Sequence, residues 1–233
     1  MSVIIKFEDL GVSDYQTVWD YQERLFNELI SQKSLQRSHS EPFMTDSGHL
    51  LFVEHPHVYT LGKSGVENNL LVDDDFLKSI KASFFRIDRG GDITYHGPGQ
   101  IVGYPIFDLE QMGLGLKSYI FNLEEVIIRT VADFGIDGKR LDGAAGVWLD
   151  VDKPGHTRKI CAIGVRASRF VSMHGFALNV NTDLKYFNFI NPCGFVDKGV
   201  TSIQKELGFD VDVSNVKESL RRHFQEVFHI LWK

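Results

Sequence analysis

The chain of 233 residues has two cysteines, Cys161 and Cys193, and no Cys-x-x-Cys pair. That excludes a disulfide framework, a zinc ribbon and a dithiol redox motif, so each thiol must be judged alone. Basic charge is not in excess: 25 Lys and Arg against 31 Asp and Glu leave a net charge of −6. A nonspecific nucleic-acid binder carries a dominant basic face, so any acidic partner must meet a local basic patch here. Apolar runs long enough to cross a bilayer are lacking, as are internal repeats, low-complexity tracts and linkers. The first thirty residues hold Glu8, Asp9, Asp14, Asp20, Glu23 and Glu28 against Lys6 and Arg24. Neither a secretory leader nor an Arg-rich transit peptide fits that balance, and a cytoplasmic location is expected. Cofactor signatures are missing too. Gly97-x-Gly99 would need a third glycine at 102, where Val102 stands, and there is no Walker A sequence and no Gly-x-Ser-x-Gly elbow.

What is there is concentrated between Arg89 and Tyr104, where sixteen residues hold five glycines, a proline and several side chains able to handle protons or charge. Glycine within a strand-like run leaves backbone open to a ligand, and Gly97-Pro98-Gly99 has the chemistry of a tight turn. A lone Arg-Gly-Gly is weak support for RNA binding. The segment reads as a surface against which a ligand lies.

Hydrophobic periodicity around it describes one mixed α/β domain over residues 1–233. Strands are expected at 2–8, 49–54, 57–61, 82–87, 92–95, 100–107, 145–150, 159–166 and 169–180. A helix follows Ser13, which with Gln16 reads as a capping box, and its apolar stripe includes Tyr15, Val18, Leu25, Phe26 and Leu29. Residues 31–48 read as a loop, Asp73–Asp75 as the first turn of a short helix, and 116–134 as a long helix stopped by Gly135. A short helical stretch is expected near 183–190, another after a Thr201/Gln204 cap, and an amphipathic helix over 214–231.

His55 and His57 are spaced to share one strand face and, with His96, could assemble a metal site, but no further ligand spacing supports one. Cys161 sits in an alternating apolar segment, where cysteine behaves as a small hydrophobe. Cys193 lies between Pro192 and Gly194 in a turn, a setting that exposes a thiol. Strand geometry places Cys161 and Lys159 on one face, so both thiols stay in contention as nucleophiles. Lys159 is a candidate for favouring the thiolate, though a lysine at a strand end is ordinarily solvated. Arg89, Thr94, Tyr95 and His96 suit either an acyl carbonyl or buried backbone groups.

The run Arg89-Gly-Gly-x-x-Thr-Tyr-His-Gly-Pro-Gly-Gln-x-x-x-Tyr104 resembles the signature of the octanoyltransferase family LipB, also called lipoyl(octanoyl) transferase. Gly146-Val-Trp, Lys159-Ile-x-Ala-Ile-Gly164, His174-Gly-Phe-Ala-Leu-Asn179, Pro192-Cys-Gly194 and Thr201-Ser-Ile203 follow in the family's order, so the resemblance covers roughly residues 45–207. It implies a mixed β-sheet flanked by helices, similar to the catalytic domain of biotin and lipoate protein ligases. It also implies transfer of octanoyl from acyl carrier protein to a lysine of a lipoyl domain, without ATP or another cofactor. The acceptors it implies are the lipoyl domains of 2-oxoacid dehydrogenase E2 subunits and the glycine cleavage H protein, and a monomer is expected. By this resemblance the nucleophile falls on Cys193 and the lysine that lowers its pKa on Lys159. Substrate contacts carry over to Arg89, Gly90, Gly91, Asp92, Ile93, Thr94, Tyr95 and His96, to Ala162, Ile163 and Gly164, and to Gly175, Phe176 and Ala177. Backbone N–H groups near Gly164 or Cys193 are candidate oxyanion donors. An acidic carrier would dock on a basic patch, for which Arg158, Lys159, Arg166 and Arg169 are the candidates. An ATP-dependent lipoate or biotin ligase and a non-catalytic acyl-carrier- or lipid-binding module are the rival readings.

Overall fold

Residues 3–39, 46–191 and 198–233 are described by a computed structural model. The chain runs through β1 (Val3–Val12), α1 (Tyr15–His39), β2 (Asp46–Glu54), β3 (Val58–Leu61), α2 (Asp74–Ser79), β4 (Ser83–Arg86), β5 (Ile93–His96), β6 (Gln100–Phe107) and α3 (Leu116–Ala132). It continues through β7 (Lys139–Leu141), β8 (Ala144–Leu149), β9 (Arg158–Ser168), β10 (Val171–Asn179), a 3₁₀ helix (Leu184–Phe189), β11 (Gly199–Val200), α4 (Ile203–Leu207), α5 (Val213–Phe228) and β12 (Ile230–Trp232). The main sheet has the order β12-β1-β2-β6-β10-β9-β8-β7, with β11 paired to β9. It is mixed: β1 runs parallel to β12 and β2, and β11 parallel to β9, while β2, β6, β10, β9 and β8 are joined antiparallel. β4, β3 and β5 form a small second sheet.

Alternation along β6 shows how the main sheet is covered. Ile101 and Phe107 join a buried cluster with Leu123, Ile127 and Val131 of α3 and Leu220, Phe224 and Phe228 of α5. Val102, Tyr104 and Ile106 point the other way, onto Val18, Leu25, Phe26 and Leu29 of α1. The period-2 strand thus feeds two cores, each closed by a helical stripe of period 3.6. The small sheet has its own core of Tyr59, Leu61, Leu77, Ile93, Tyr95 and Ile190.

Several expectations need correction. The cap of α1 is Asp14, whose carboxylate accepts from the Thr17 N–H at 3.1 Å, while Ser13 Oγ donates to the Leu10 carbonyl. Residues 31–39 continue α1, where the reading had a loop; buried Lys33 pairs with Asp108 at 2.5 Å, an anchor across 75 residues that local composition cannot reveal. Ser202 rather than Thr201 caps α4, accepting from Lys205 N–H. α5 stops at Phe228 because His229 turns left-handed (φ 53°), and residues 230–232 pair with β1 as a strand. The short β7, β11 and β12 carry too few residues to show a period. The acidic start of α2 is as expected, with Asp73 capping Phe76 N–H, and Gly135 (φ 76°) follows the end of α3. Among the described residues no helix is long and apolar enough to cross a membrane.

Candidate active site

A cavity of about 760 Å³ opens between the two sheets. Its floor is the α1-side face of the main sheet: Gln100, Val102 and Tyr104 of β6, Gly175, Ala177 and Asn179 of β10, and Lys159, Ala162 and Gly164 of β9. Ala162 is in register with Ala177, and Gly164 with Gly175, so side chains of one carbon or none follow one another where the cavity runs. Arg89, Gly91, Asp92, Ile93, Thr94 and His96 form the opposing wall. Wall and floor touch where Gly90 N–H donates to the Val165 carbonyl at 3.0 Å. A Cβ at Gly164 would stand 2.9 Å from the Gly90 carbonyl oxygen, so this approach demands glycine.

Lys159 sits at the β8 side of the cavity. Its Nζ lies 4.4 Å above the Trp148 ring, an arrangement that holds a cation by the ring's quadrupole. Trp148 is fixed in turn by its indole N–H, which donates to the Ala144 carbonyl at 3.1 Å. Gly146 (φ 124°) takes a conformation suited to glycine, and its N–H donates to buried Glu124 at 3.0 Å. Val200 of β11 is in register with Lys159, so the chain leaving residues 192–197 is bound directly against this lysine's strand. Cys193, with Pro192 and Gly194, lies outside the described residues. Asn191 and Lys198, which flank that segment, both line the cavity.

The same-face argument for Cys161 fails. β8 pairs Val147 with Cys161 but Trp148 with Lys159, a bulge that absorbs one residue of β9 and turns Cys161 away. Cys161 is fully buried among Ile160, Val147 and Leu178 of the α3/α5 core, and burial pushes its thiol well up from the ordinary range. It packs as a hydrophobe.

Of the expected substrate contacts, Arg89, Gly91, Asp92, Ile93, Thr94, His96, Ala162, Ile163, Gly164, Gly175, Phe176 and Ala177 line the cavity; Gly90 and Tyr95 do not. Tyr95 is excluded by strand alternation: its ring enters the small-sheet core, where its hydroxyl meets His57 Nδ1 at 2.7 Å and its ring stacks on Tyr186. The Phe176 ring lies in the opposite core with Phe52 and Phe224. Arg89 donates to the Thr60 carbonyl (2.8 Å) and hydroxyl (3.0 Å), and Asp92 accepts from Ile93 N–H and Asn69 Nδ2, so both side chains brace the wall. Tyr15, Trp148, Gln100 and Asn179, together with Leu184, Phe187 and Asn188 of the 3₁₀ helix, also border the cavity. These were missed because they come from elements far apart in sequence; Trp148, Gln100 and Asn179 lay inside motifs already noted.

His55 and His57 occupy the β2–β3 connection and face different partners. His55 bridges the Tyr104 hydroxyl and the Ser13 carbonyl at 2.8 Å each, and His57 meets Tyr95 and Tyr186. The basic patch is dispersed as well. Arg158 is paired with Asp150 and Glu206, and Arg166 with Asp88 while covering the Phe26 ring.

Burial pushes His55 down to about 4, and burial followed by the neighbouring His55 pushes His96 down to about 3. Both fall below the ordinary histidine value near 6.5, so the unfolded chain binds more protons as pH drops below that value. These histidines therefore stabilise the fold above about pH 6.5, and that contribution is lost as pH falls toward 4. The thermal midpoint should fall between pH 7 and pH 5, and less steeply in His55→Gln; a midpoint that rose over this interval would contradict the assignment.

The sequence pattern described as the lipoyl protein ligase A/B catalytic domain matches residues 14–225. The chain is 52% identical over 223 residues to the octanoyltransferase of Parabacteroides distasonis, covering 96% of this chain and 98% of that one. Among solved structures, the bipartite lipoate protein ligase of Thermoplasma acidophilum superposes with a TM-score of 0.70 at 17% identity, covering 100% of this chain and 85% of that one. The biotin protein ligase of Aquifex aeolicus superposes at 0.53 and 13%, covering 96% and 70%. The expected likeness to lipoate and biotin ligase catalytic domains is thus met in the fold.

Proposed function

Because the chain belongs to the lipoyl protein ligase A/B catalytic family, in the branch whose members are named octanoyltransferases, we propose that residues 1–233 act as one catalytic domain transferring octanoyl from an acyl carrier to a lipoyl-domain lysine. The observation that carries this reading is that Lys159 and both flanks of the segment holding Cys193 border one cavity floored by glycine and alanine. Such a floor admits a flat aliphatic chain close to backbone, and 760 Å³ is ample for one.

Two half-reactions follow. The Lys159 ammonium favours the Cys193 thiolate, which attacks the thioester carbonyl of the carrier's pantetheine arm. The new C–S bond to Cys193 forms as the carrier's C–S bond breaks, and the Lys159 ammonium gives a proton to the leaving thiolate. This exchange of one thioester for another is nearly neutral in energy. The acceptor lysine amine then attacks the octanoyl-cysteine, Lys159 takes the amine proton, and Cys193 departs with the amide formed. The greater stability of the amide drives this step. The acceptors are lipoyl domains of 2-oxoacid dehydrogenase E2 subunits and the glycine cleavage H protein.

Transfer without nucleotide separates this function from that of an acid-activating ligase. The purified chain, octanoyl carrier and a lipoyl domain should give octanoylated domain with no ATP present. Transfer that required ATP and free octanoate would favour the ligase reading.

A further inference from the structure

A chain of hydrogen bonds runs along the floor and wall of the cavity, and two backbone carbonyls set its direction. Asn179 Nδ2 donates to the Thr201 carbonyl at 2.9 Å, so its Oδ1 faces Gln100. Gln100 Nε2 donates to that Oδ1 at 2.8 Å and to the Tyr95 carbonyl at 3.2 Å, which turns Gln100 Oε1 toward His96 Nδ1 at 2.9 Å. An amide oxygen cannot donate, so the proton must reside on His96 Nδ1. His96 Nε2 then presents a lone pair to the Thr60 hydroxyl at 3.5 Å, and the Thr60 oxygen accepts from Arg89 at 3.0 Å. At the other end, Thr201 N–H donates to the Lys159 carbonyl at 2.9 Å. Thr60, His96, Gln100, Asn179 and Thr201 are all buried.

We infer that Gln100 is a positioning residue: it fixes His96 as the Nδ1–H tautomer and, through Asn179 and Thr201, ties the glycine-rich wall to the backbone of Lys159. The consequence for transfer rests on the function proposed above; the tautomer does not. Among the described residues, the titratable groups around His96 are Tyr15 of α1, stacked at 6.1 Å, His55 of the β2–β3 connection, also at 6.1 Å, Arg89 of the wall and His174 of β10. None carries a negative charge that would favour an imidazolium, so His96 serves as a neutral strut of the wall.

Gln100→Glu keeps the shape and changes the polarity. When ionised, the introduced carboxyl cannot donate to Asn179 or to the Tyr95 carbonyl; when protonated, it supplies a donor again. Burial and those two facing acceptors raise its pKa above the usual carboxylate range. Its kcat/KM for octanoyl carrier should fall about 10²-fold at the alkaline end of the profile and recover toward the wild-type value as pH is lowered. Gln100→Leu should stay low at every pH. A Gln100→Glu profile parallel to wild type would overturn the inference. Independently of activity, nitrogen-15 spectra of histidine-labelled wild type, with His96 identified by the signal lost in His96→Gln, should show a protonated Nδ1 and a bare Nε2 at neutral pH. The Nε2–H tautomer there would also overturn it. If wild type fails to transfer octanoyl, the functional reading falls while the spectra still decide the role of Gln100.

Discussion

Lys159→Ala should lower octanoyl transfer by about 10²- to 10⁴-fold, the range that a positioned acid–base group contributes. The lysine borders the cavity, its ammonium end lies over Trp148, and its strand is clamped by β8 on one side and β11 on the other. Removing it takes away both the group that accepts the acceptor amine's proton and the charge that favours a thiolate, so the variant's rate should rise with pH toward the ordinary cysteine range. Lys159→Arg separates the two tasks. The guanidinium keeps the charge but cannot act as a base near neutrality, so formation of octanoyl-cysteine should survive better than transfer to the acceptor amine. Rapid-quench measurement of the two half-reactions checks this. Equal loss in both steps for both variants would indicate that Lys159 holds structure and nothing more.

Gly175→Ala should destabilise the fold by about 3 kcal/mol, at the upper end of the usual cost of overpacking. A Cβ there would stand 2.2 Å from the Gly103 carbonyl oxygen and 2.6 Å from Pro105 Cδ. Both neighbours belong to β6, whose backbone is held between β2 and β10, so it has no room to retreat. Gly113→Ala supplies the contrast. Gly113, unlike Gly175, has a positive φ (66°), but nothing lies within 4 Å of its Cβ position, so its cost is limited to backbone strain, about 1 kcal/mol. Urea denaturation of the pair measures the difference. Similar midpoints would mean that β6 and β10 are less tightly joined than their register indicates.

The parts of the fold legible in the sequence were those with a long period: the stripe of α1, the Leu123–Val131 face of α3, and the alternation of β6. β7, β11 and β12 are too short to show one, and they are held by pairing with distant partners. The end of α1 was hidden for a related reason, since Lys33 finds Asp108 only in three dimensions. In the site, the glycine-rich run was readable because glycine marks close backbone approach, and Gly90 does meet Val165. The Tyr95 side chain leaves the cavity because a motif gives membership of a segment, whereas alternate side chains of a strand leave by opposite faces. Cys161 was kept as a rival by strict alternation along β9, which the bulge between Lys159 and Cys161 breaks. Arg158 and Arg166 of the expected basic patch each meet carboxylates that a count of arginines leaves out. The Gln100–Asn179 chain was invisible to spacing, since it joins residues 79 apart.

The central claim is that Cys193 carries the octanoyl group between two partners, and intact-mass measurement of the enzyme after incubation with octanoyl carrier tests it most directly. Wild type and Cys161→Ala should each gain one octanoyl group, lost again on adding a lipoyl domain, while Cys193→Ser should gain none that a thiol reagent removes. A gain that persists in Cys193→Ser and disappears in Cys161→Ala would contradict the account.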